Sequence, residues 1–431
     1  MSKKKNIIIG AGLSGLSLNY FLHKKRKKAY IFEKEKEPGG LCRSIHKRGF
    51  IFDYSGHILH FRNPKILALV KKIIGGNLVK HKRNAYVRVS KKYIHYPFQV
   101  HFNYLSKKIA QDCLSNFMKV SRAKKSKFAA KNLLEWINKK FGAGIARYFM
   151  IPYNQKFWRF PLQDIMADWA ERFVVVPSPD DFKHQSNDCR QKNYGYNHFF
   201  WYPKQGGIEE LVGAFSRKTE KIELNQRLTR INLTGKSIEF ESGRKEKFDT
   251  LVSTMPLPEL GRITEELPKG ILSSLDKLNW LSVYNINLGV TGSVWPKSHW
   301  VYFPQKNIPF FRVGFFHNFS LALTPKNSSS LYIELTYLGQ KDFDQKTILS
   351  EVELALRRTG ILKSSNKICC CNVNDLKYAY VIYDKQYTEA RKKILQFFLK
   401  NNIIVCGRFG GWRYLSMEDV IIESKKISGF L

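Results

Sequence analysis

The chain has 431 residues, 43% of them hydrophobic, which excludes a disordered protein and provides for about two or three packed units. Its 73 Lys and Arg against 35 Asp and Glu give a formal charge of +38. The basic residues are spread along the whole chain with no recognisable nucleic-acid module, so no specific nucleic-acid partner is expected, while weak association with an anionic membrane surface stays open.

No run of 18 apolar residues is present, and the start MSKKKNIIIGAGLSGLSL only imitates a signal peptide. The seven cysteines, three of them adjacent at Cys369, Cys370 and Cys371, form neither a CxxC metal knuckle nor a disulfide framework. A cytoplasmic protein without a metal site is expected.

Asn6 to Ile9 reads as a short apolar strand, Gly10-Ala11-Gly12-Leu13-Ser14-Gly15 as a glycine turn, and Leu16 to Leu22 as the following helix. Gly10 permits the tight turn, Gly12 lets the backbone approach a pyrophosphate, and Gly15 allows close packing of helix on strand. A second strand, Ala29 to Phe32, ends at Glu33, 18 residues beyond Gly15, where a carboxylate can accept ribose hydroxyls. This is the pattern of a dinucleotide-binding Rossmann unit. The order that follows, Gly39-Gly40-Leu41 and then Arg43, resembles the FAD-binding front of the amine oxidase and protoporphyrinogen oxidase group, which makes FAD the expected dinucleotide.

AYVRV and YIHY, joined by Ser90-Lys91-Lys92, predict a hairpin over 85–96. From about 104 to 150 the period is helical, with Leu134, Ile137 and Phe141 on one face, Gly142 as a stop and Pro152 beyond the end. Leu331, Ile333, Leu335 and Tyr337 alternate with Tyr332, Glu334 and Thr336, and Ile286, Leu288 and Val290 with Asn287 and Gly289, which predicts antiparallel strands with one wetter face. Residues 202–215, Thr250 to Thr254 and the late NNIIVCGRFGGW read as returns to the FAD unit. The expected fold class is α/β (α+β mixed): a discontinuous Rossmann-type FAD domain (1–80, 200–255, 395–431), a helical substrate domain (100–165) and an antiparallel sheet domain (81–99, 166–199, 256–394). One residue stands out. Arg312 lies within PFFRVGFF, where only a snorkelling side chain or an anionic partner makes a charge tolerable.

Several strings together resemble the UDP-galactopyranose mutase family, especially its eukaryotic-type branch. They are Asp53-Tyr54-Ser55-Gly56-His57, RNAYVRV with YPFQ, IPYNQKFW, AERF, LVSTM, WVYFPQKNIPFFR and GRFGGWRY, in family order over most of residues 6–414. The resemblance implies interconversion of pyranose and furanose forms of a nucleotide-linked sugar, with UDP-galactose first. It implies reduced FAD, with N5 as nucleophile at the anomeric carbon, and NADPH or NADH as the reductant. The protein must hold the departing diphosphate with fixed cations and hydroxyls.

Carried over residue by residue, the resemblance makes Arg312, Arg172 and Arg408 a diphosphate clamp, with hydroxyls from Tyr380 and Tyr414. His57 lies beside the isoalloxazine. Tyr96, Phe98 and Gln99 face the base, and Asn154, Trp158, Trp300 and Tyr302 line the rest of the nucleotide pocket. The cofactor set is Gly10, Gly12, Gly15, Glu33, Gly39, Gly40, Leu41, Arg43, Gly56, His57, Leu228, Gly407 and Met417. Phe98 and Trp158 read nearly as well as plain aromatic core. Departures from the pattern are Ser55 in place of a glycine, Val100-His101 where asparagines are usual, and LSMEDVIIESKK after Tyr414. They leave open another nucleotide sugar, of the fucose or N-acetylgalactosamine type. An oxidoreductase of the amine oxidase or protoporphyrinogen oxidase type, or a basic scaffold that has lost its chemistry, are the other readings.

Overall fold

In the computed structural model the described residues are 5–123, 130–182, 194–195, 198–219 and 221–431. The start Met1 to Lys4 and part of the predicted span 166–199 lie outside them. The front of the chain forms a five-stranded parallel sheet in the order 403–405, 250–253, 6–9, 29–32, 222–223. The strand Asn6–Ile9 is buried throughout, as expected for the centre of a parallel sheet covered on both faces. The helix Leu13–Lys24 starts at Gly12 and is buried from Leu13 to Leu22 except at Ser14, packed against the helices Glu209–Ser216 and Met417–Ile427.

A second sheet of seven strands runs 368–381, 280–291, 328–337, 312–315, 300–302, 85–89, 92–95. Every neighbouring pair is antiparallel except 300–302 with 85–89, which is parallel. One face carries Ile286, Leu288, Ile333 and Val313 into a core shared with Ile348, Val352 and Leu356 of the helix Gln345–Arg358. The opposite face was expected to be wetter. It is instead sealed: Asn285 and Asn287 are 0% exposed, Glu334 1% and Tyr332 2%, because the loop 53–57 and the helix Ile151–Trp158 cover it.

The helical insert breaks at Gly142 as expected: the residue leaves helical geometry at φ +71 and ψ 168 between two helical runs, and a side chain there would strike the backbone of Asn116. It departs from expectation at Pro152, because Ile151–Trp158 takes the proline in its first turn, where a missing N–H costs nothing.

Asp53 ties the second sheet to the segments that carry Ser44, Tyr202 and Ile208. Its buried carboxylate accepts from the Tyr202 hydroxyl (2.6 Å), the Ser44 hydroxyl (2.7 Å) and the Ile208 amide (3.1 Å), and its carbonyl accepts from Asn287 Nδ2 (3.1 Å). Burial pushes the Asp53 carboxyl up to about 6, against the pull of those donors. Tyr332 lies across Gly314 and under Gly56, and a Cβ at either glycine would enter its ring or hydroxyl. Gly314→Ala should therefore lose about 1–3 kcal/mol of stability in urea unfolding. Gly270→Ala, where a Cβ meets open space, should lose none.

Candidate functional site

The glycine turn is built as a cradle. Gly10 sits at φ +98, and a side chain at Gly15 would penetrate the Gly10 carbonyl, so strand, turn and helix close on one another. The Gly39 amide donates to the Ala11 carbonyl (2.8 Å), which lays the second glycine pair, at φ +128 and +58, beside Gly12. Glu33, 6% exposed, accepts from the Ala11 amide (2.6 Å) and from the Glu35 amide (3.0 Å) at the strand end. Leu41 follows in a short 3-10 turn whose Cys42 Sγ lies 3.8 Å from Met417 Sδ. Met417 opens the helix capped by Ser416 and Asp419. Arg43 lies over the Tyr54 ring at 5.3 Å, and Gly407, at φ +84, starts a short helix over Ser14. Leu228 is buried with Ile9 and Phe32, two residues beyond Gln226, whose amide donates to the Glu33 carbonyl (2.8 Å).

On the sealed face of the second sheet a polar row runs across four strands. Asn374 pairs with Asn285, Asn285 with Glu334, and Glu334 with Arg312. Asn374 Nδ2 donates to Asn285 Oδ1 (2.9 Å), which also accepts the Ser55 amide (3.1 Å). Glu334 takes Arg312 by two donors, Nε on Oε2 and Nη2 on Oε1 (2.9 Å), and accepts the Ser55 hydroxyl on Oε1. Burial works against the Arg312 charge, yet Glu334 beside it and the hydroxyls of Tyr332 and Tyr380 raise its pKa well above the arginine range. Of the two possibilities that the sequence offered for this charge, the anionic partner is present.

The three arginines differ in compensation. Arg312 faces Glu334, and the half-exposed Arg172 faces Asp419 (2.7 Å), which also binds Arg62 (3.0 Å). Arg408 has no carboxylate partner among the described residues. It donates to the carbonyls of Ala379 (2.7 Å) and Leu415 (3.5 Å) and stacks on Tyr414 (4.3 Å) and Tyr380 (5.1 Å). Those two rings lie parallel at 6.1 Å. Burial pushes the Tyr380 hydroxyl up to about 12, so it remains a donor.

An aromatic wall continues from Tyr380 through Phe157 (4.9 Å) to Tyr153 (6.3 Å), Tyr302 (5.5 Å) and Tyr96 (5.2 Å), with Arg83 over the Tyr96 ring. His57 carries a buried Nδ1 without a hydrogen-bond partner among the described residues. Burial, with Arg408 and Arg312 near, holds its pKa down at about 4.

The structure thus brings together His57, Arg312, Arg408, Tyr302, Tyr380 and Tyr414. It puts Phe98 (0% exposed) against Phe149 and Trp158 (4%) against Trp169, inside the helical core, so both take the packing role that the sequence also allowed. Trp300 (4%) is enclosed near Phe200. Gln99 donates to the Val175 carbonyl (2.6 Å), and Asn154 to its own helix at Met150 (2.7 Å). Glu334, Tyr153 and Asp419 were missed. Glu334 had a signal: it is the one charged residue in SSSLYIELTY, as Arg312 is in its strand, and opposite lone charges on neighbouring strands point to a pair.

Residues 13–359 match the family described as flavin containing amine oxidoreductase. The chain belongs to that family. A crystal structure of reduced UDP-galactopyranose mutase superposes with a TM-score of 0.91 at 25% identity, covering 99% of this chain and 94% of that one. A protein proposed to be a protoporphyrinogen oxidase, from Exiguobacterium sp. 255-15, gives 0.76 at 14% identity, covering 100% of this chain and 99% of that one. A fatty acid isomerase from P. acnes gives 0.69 at 13%, covering 100% and 99%. These last two share the fold. Among curated proteins, an inactive all-trans-retinol 13,14-reductase from Danio rerio is 40% identical over 47 residues, 11% of this chain and 8% of that protein. For a member of a flavin family, the double glycine cradle, the Glu33 carboxylate and the orphaned His57 nitrogen fit FAD.

In this flavoprotein His57 stays neutral. Its folded pKa of about 4 lies below the ordinary 6.5, so its contribution to stability is complete above pH 6.5 and is lost as pH falls toward 4. The loss should reach on the order of 2–3 kcal/mol. In urea melts a His57→Phe variant should show a correspondingly flatter decline between pH 6.5 and 4, and an unchanged slope would contradict the assignment.

Proposed function

We propose that this flavoprotein is a nucleotide-sugar mutase interconverting pyranose and furanose forms, with UDP-galactose as its first substrate. The observation that carries the reading is the likeness to UDP-galactopyranose mutase over 99% of this chain, at a TM-score of 0.91 and 25% identity. The residues around His57 support it, since they suit a leaving diphosphate better than a lipophilic amine.

Bound and reduced, FAD supplies the nucleophile for the anomeric carbon. The chain's own residues do the rest. Gly10, Gly12, Gly15, Gly39 and Gly40 would admit the cofactor's pyrophosphate, and Glu33 would receive its ribose. Arg408 is the cation best placed to answer the charge of a departing diphosphate, because among the described residues its guanidinium meets only carbonyls and ring faces. Arg312 presents Nη1, the nitrogen that Glu334 does not use. Tyr380 and Tyr414 add hydroxyls, and a neutral His57 adds no positive charge to those of Arg312 and Arg408. The wall from Tyr153 to Tyr96 excludes water from the sugar and base. Arg172 would reach a phosphate by exchanging Asp419 for it, a cost that Arg408 does not bear.

The decisive assay gives the purified flavoprotein UDP-galactofuranose with and without dithionite, followed by anion-exchange chromatography. Conversion to the pyranose only with reduced flavin is expected. Arg408→Ala and Arg312→Ala should each lower kcat/KM about 100-fold or more with flavin content retained. Tight UDP binding without conversion would move the substrate to another nucleotide sugar. Neither binding nor conversion would return the protein to the oxidoreductases.

A further inference from the structure

We propose that Ser55 is a positioning residue for Arg312, acting through Glu334, and that it sets how the guanidinium meets a phosphate; only the phosphate part rests on the function proposed above. Ser55 stands where the resemblance leads one to expect glycine. It holds φ +72, a conformation that disfavours any side chain, and it is buried. Among the described residues its side chain makes one hydrogen bond: the hydroxyl donates to Glu334 Oε1.

That contact completes a carboxylate with three donors. Arg312 supplies Nε and Nη2, and Ser55 supplies the third. Two nitrogens on two oxygens align the planes of guanidinium and carboxylate, and the hydroxyl resists rotation of the carboxylate out of that plane. Ser55 is itself held at its amide by Asn285 Oδ1 (3.1 Å), an oxygen that Asn374 Nδ2 also anchors (2.9 Å). Arg312 therefore inherits its orientation from the loop that carries His57, two residues on. Nη1, the one guanidinium nitrogen with no hydrogen bond among the described residues, keeps a fixed direction. Without the hydroxyl, Glu334 and Arg312 swing together and a phosphate must first order them.

Ser55→Gly isolates this role, because glycine removes the hydroxyl and relieves the positive φ at once. A purely structural serine would leave a protein of equal or greater stability with unchanged site behaviour. The test uses the flavin-loaded full chain labelled with 15N-arginine, the Arg312 Nε–H signal being assigned by its loss in Arg312→Lys. With Ser55→Gly the signal should broaden and exchange faster with solvent, and UDP affinity should fall about tenfold, while flavin content and melting temperature hold. In a Glu334→Gln background, Ser55→Gly should add nothing further.

An unchanged Arg312 signal would overturn the proposal, as would an additive loss in the Glu334→Gln background. If the parent protein fails to bind UDP while the Arg312 signal still responds to Ser55→Gly, the positioning role stands and the nucleotide-sugar reading falls.

Discussion

A buried carboxylate on a sheet needs its donors in place before anything can be built upon it, and Glu334 has them. Placed without partners, it would cost several kcal/mol or take up a proton. Asn374, Asn285, Glu334 and Arg312 answer that demand as neighbours in register on four strands, with Ser55 closing the row from above. The row also anchors the loop 53–57, whose Asp53 side chain is bound to Tyr202, Ser44 and Ile208 beside the first sheet. One five-residue segment thus reaches the Rossmann side with a carboxylate and the second sheet with its backbone. The flavin loop and the arginine face are registered to each other by hydrogen bonds that a shift of either sheet would break.

Charge is distributed accordingly. The formal +38 of the chain says little about the site, because among the described residues no Lys or Arg is fully buried and most lie at the surface. Within the site two of the three arginines already own a carboxylate. Arg408 alone is held by dipoles and ring faces, so it carries a charge that an anion can meet without displacing one. The neutrality of His57 follows from the same arrangement: two guanidiniums nearby and little water make a third positive charge costly.

The aromatic residues divide by what surrounds them. Tyr153, Tyr302, Tyr380 and Tyr414 are half-buried and run beside the arginines, while Phe98 and Trp158 vanish into the helical core. A hydroxyl matters in that division, since a tyrosine can bury its ring and still leave a donor at a polar surface. Tyr153 stands in IPYNQKFW beside Asn154 and Trp158, the two residues of that segment that the resemblance places in the pocket. The helical period put Asn154 on the inward side, where it satisfies its own backbone.

The sequence by itself determined the glycine cradle, Glu33 at the end of the second strand, the alternation of the long strands and the lone charge at Arg312. Each is a local requirement: a positive φ, a close backbone approach, a period of two, an unusual residue type among apolar ones. It could not tell that the wetter face of those strands is sealed, because burial of Glu334 depends on a loop nearly three hundred residues earlier folding over it. It marked Gly142 as a break between helical runs, but it could not tell that the backbone of the neighbouring helix at Asn116 leaves no room for a side chain there. Only the tertiary structure decided which arginine keeps an uncompensated charge. Pairing is a property of distance across strands and loops, and neither composition nor spacing along the chain carries it.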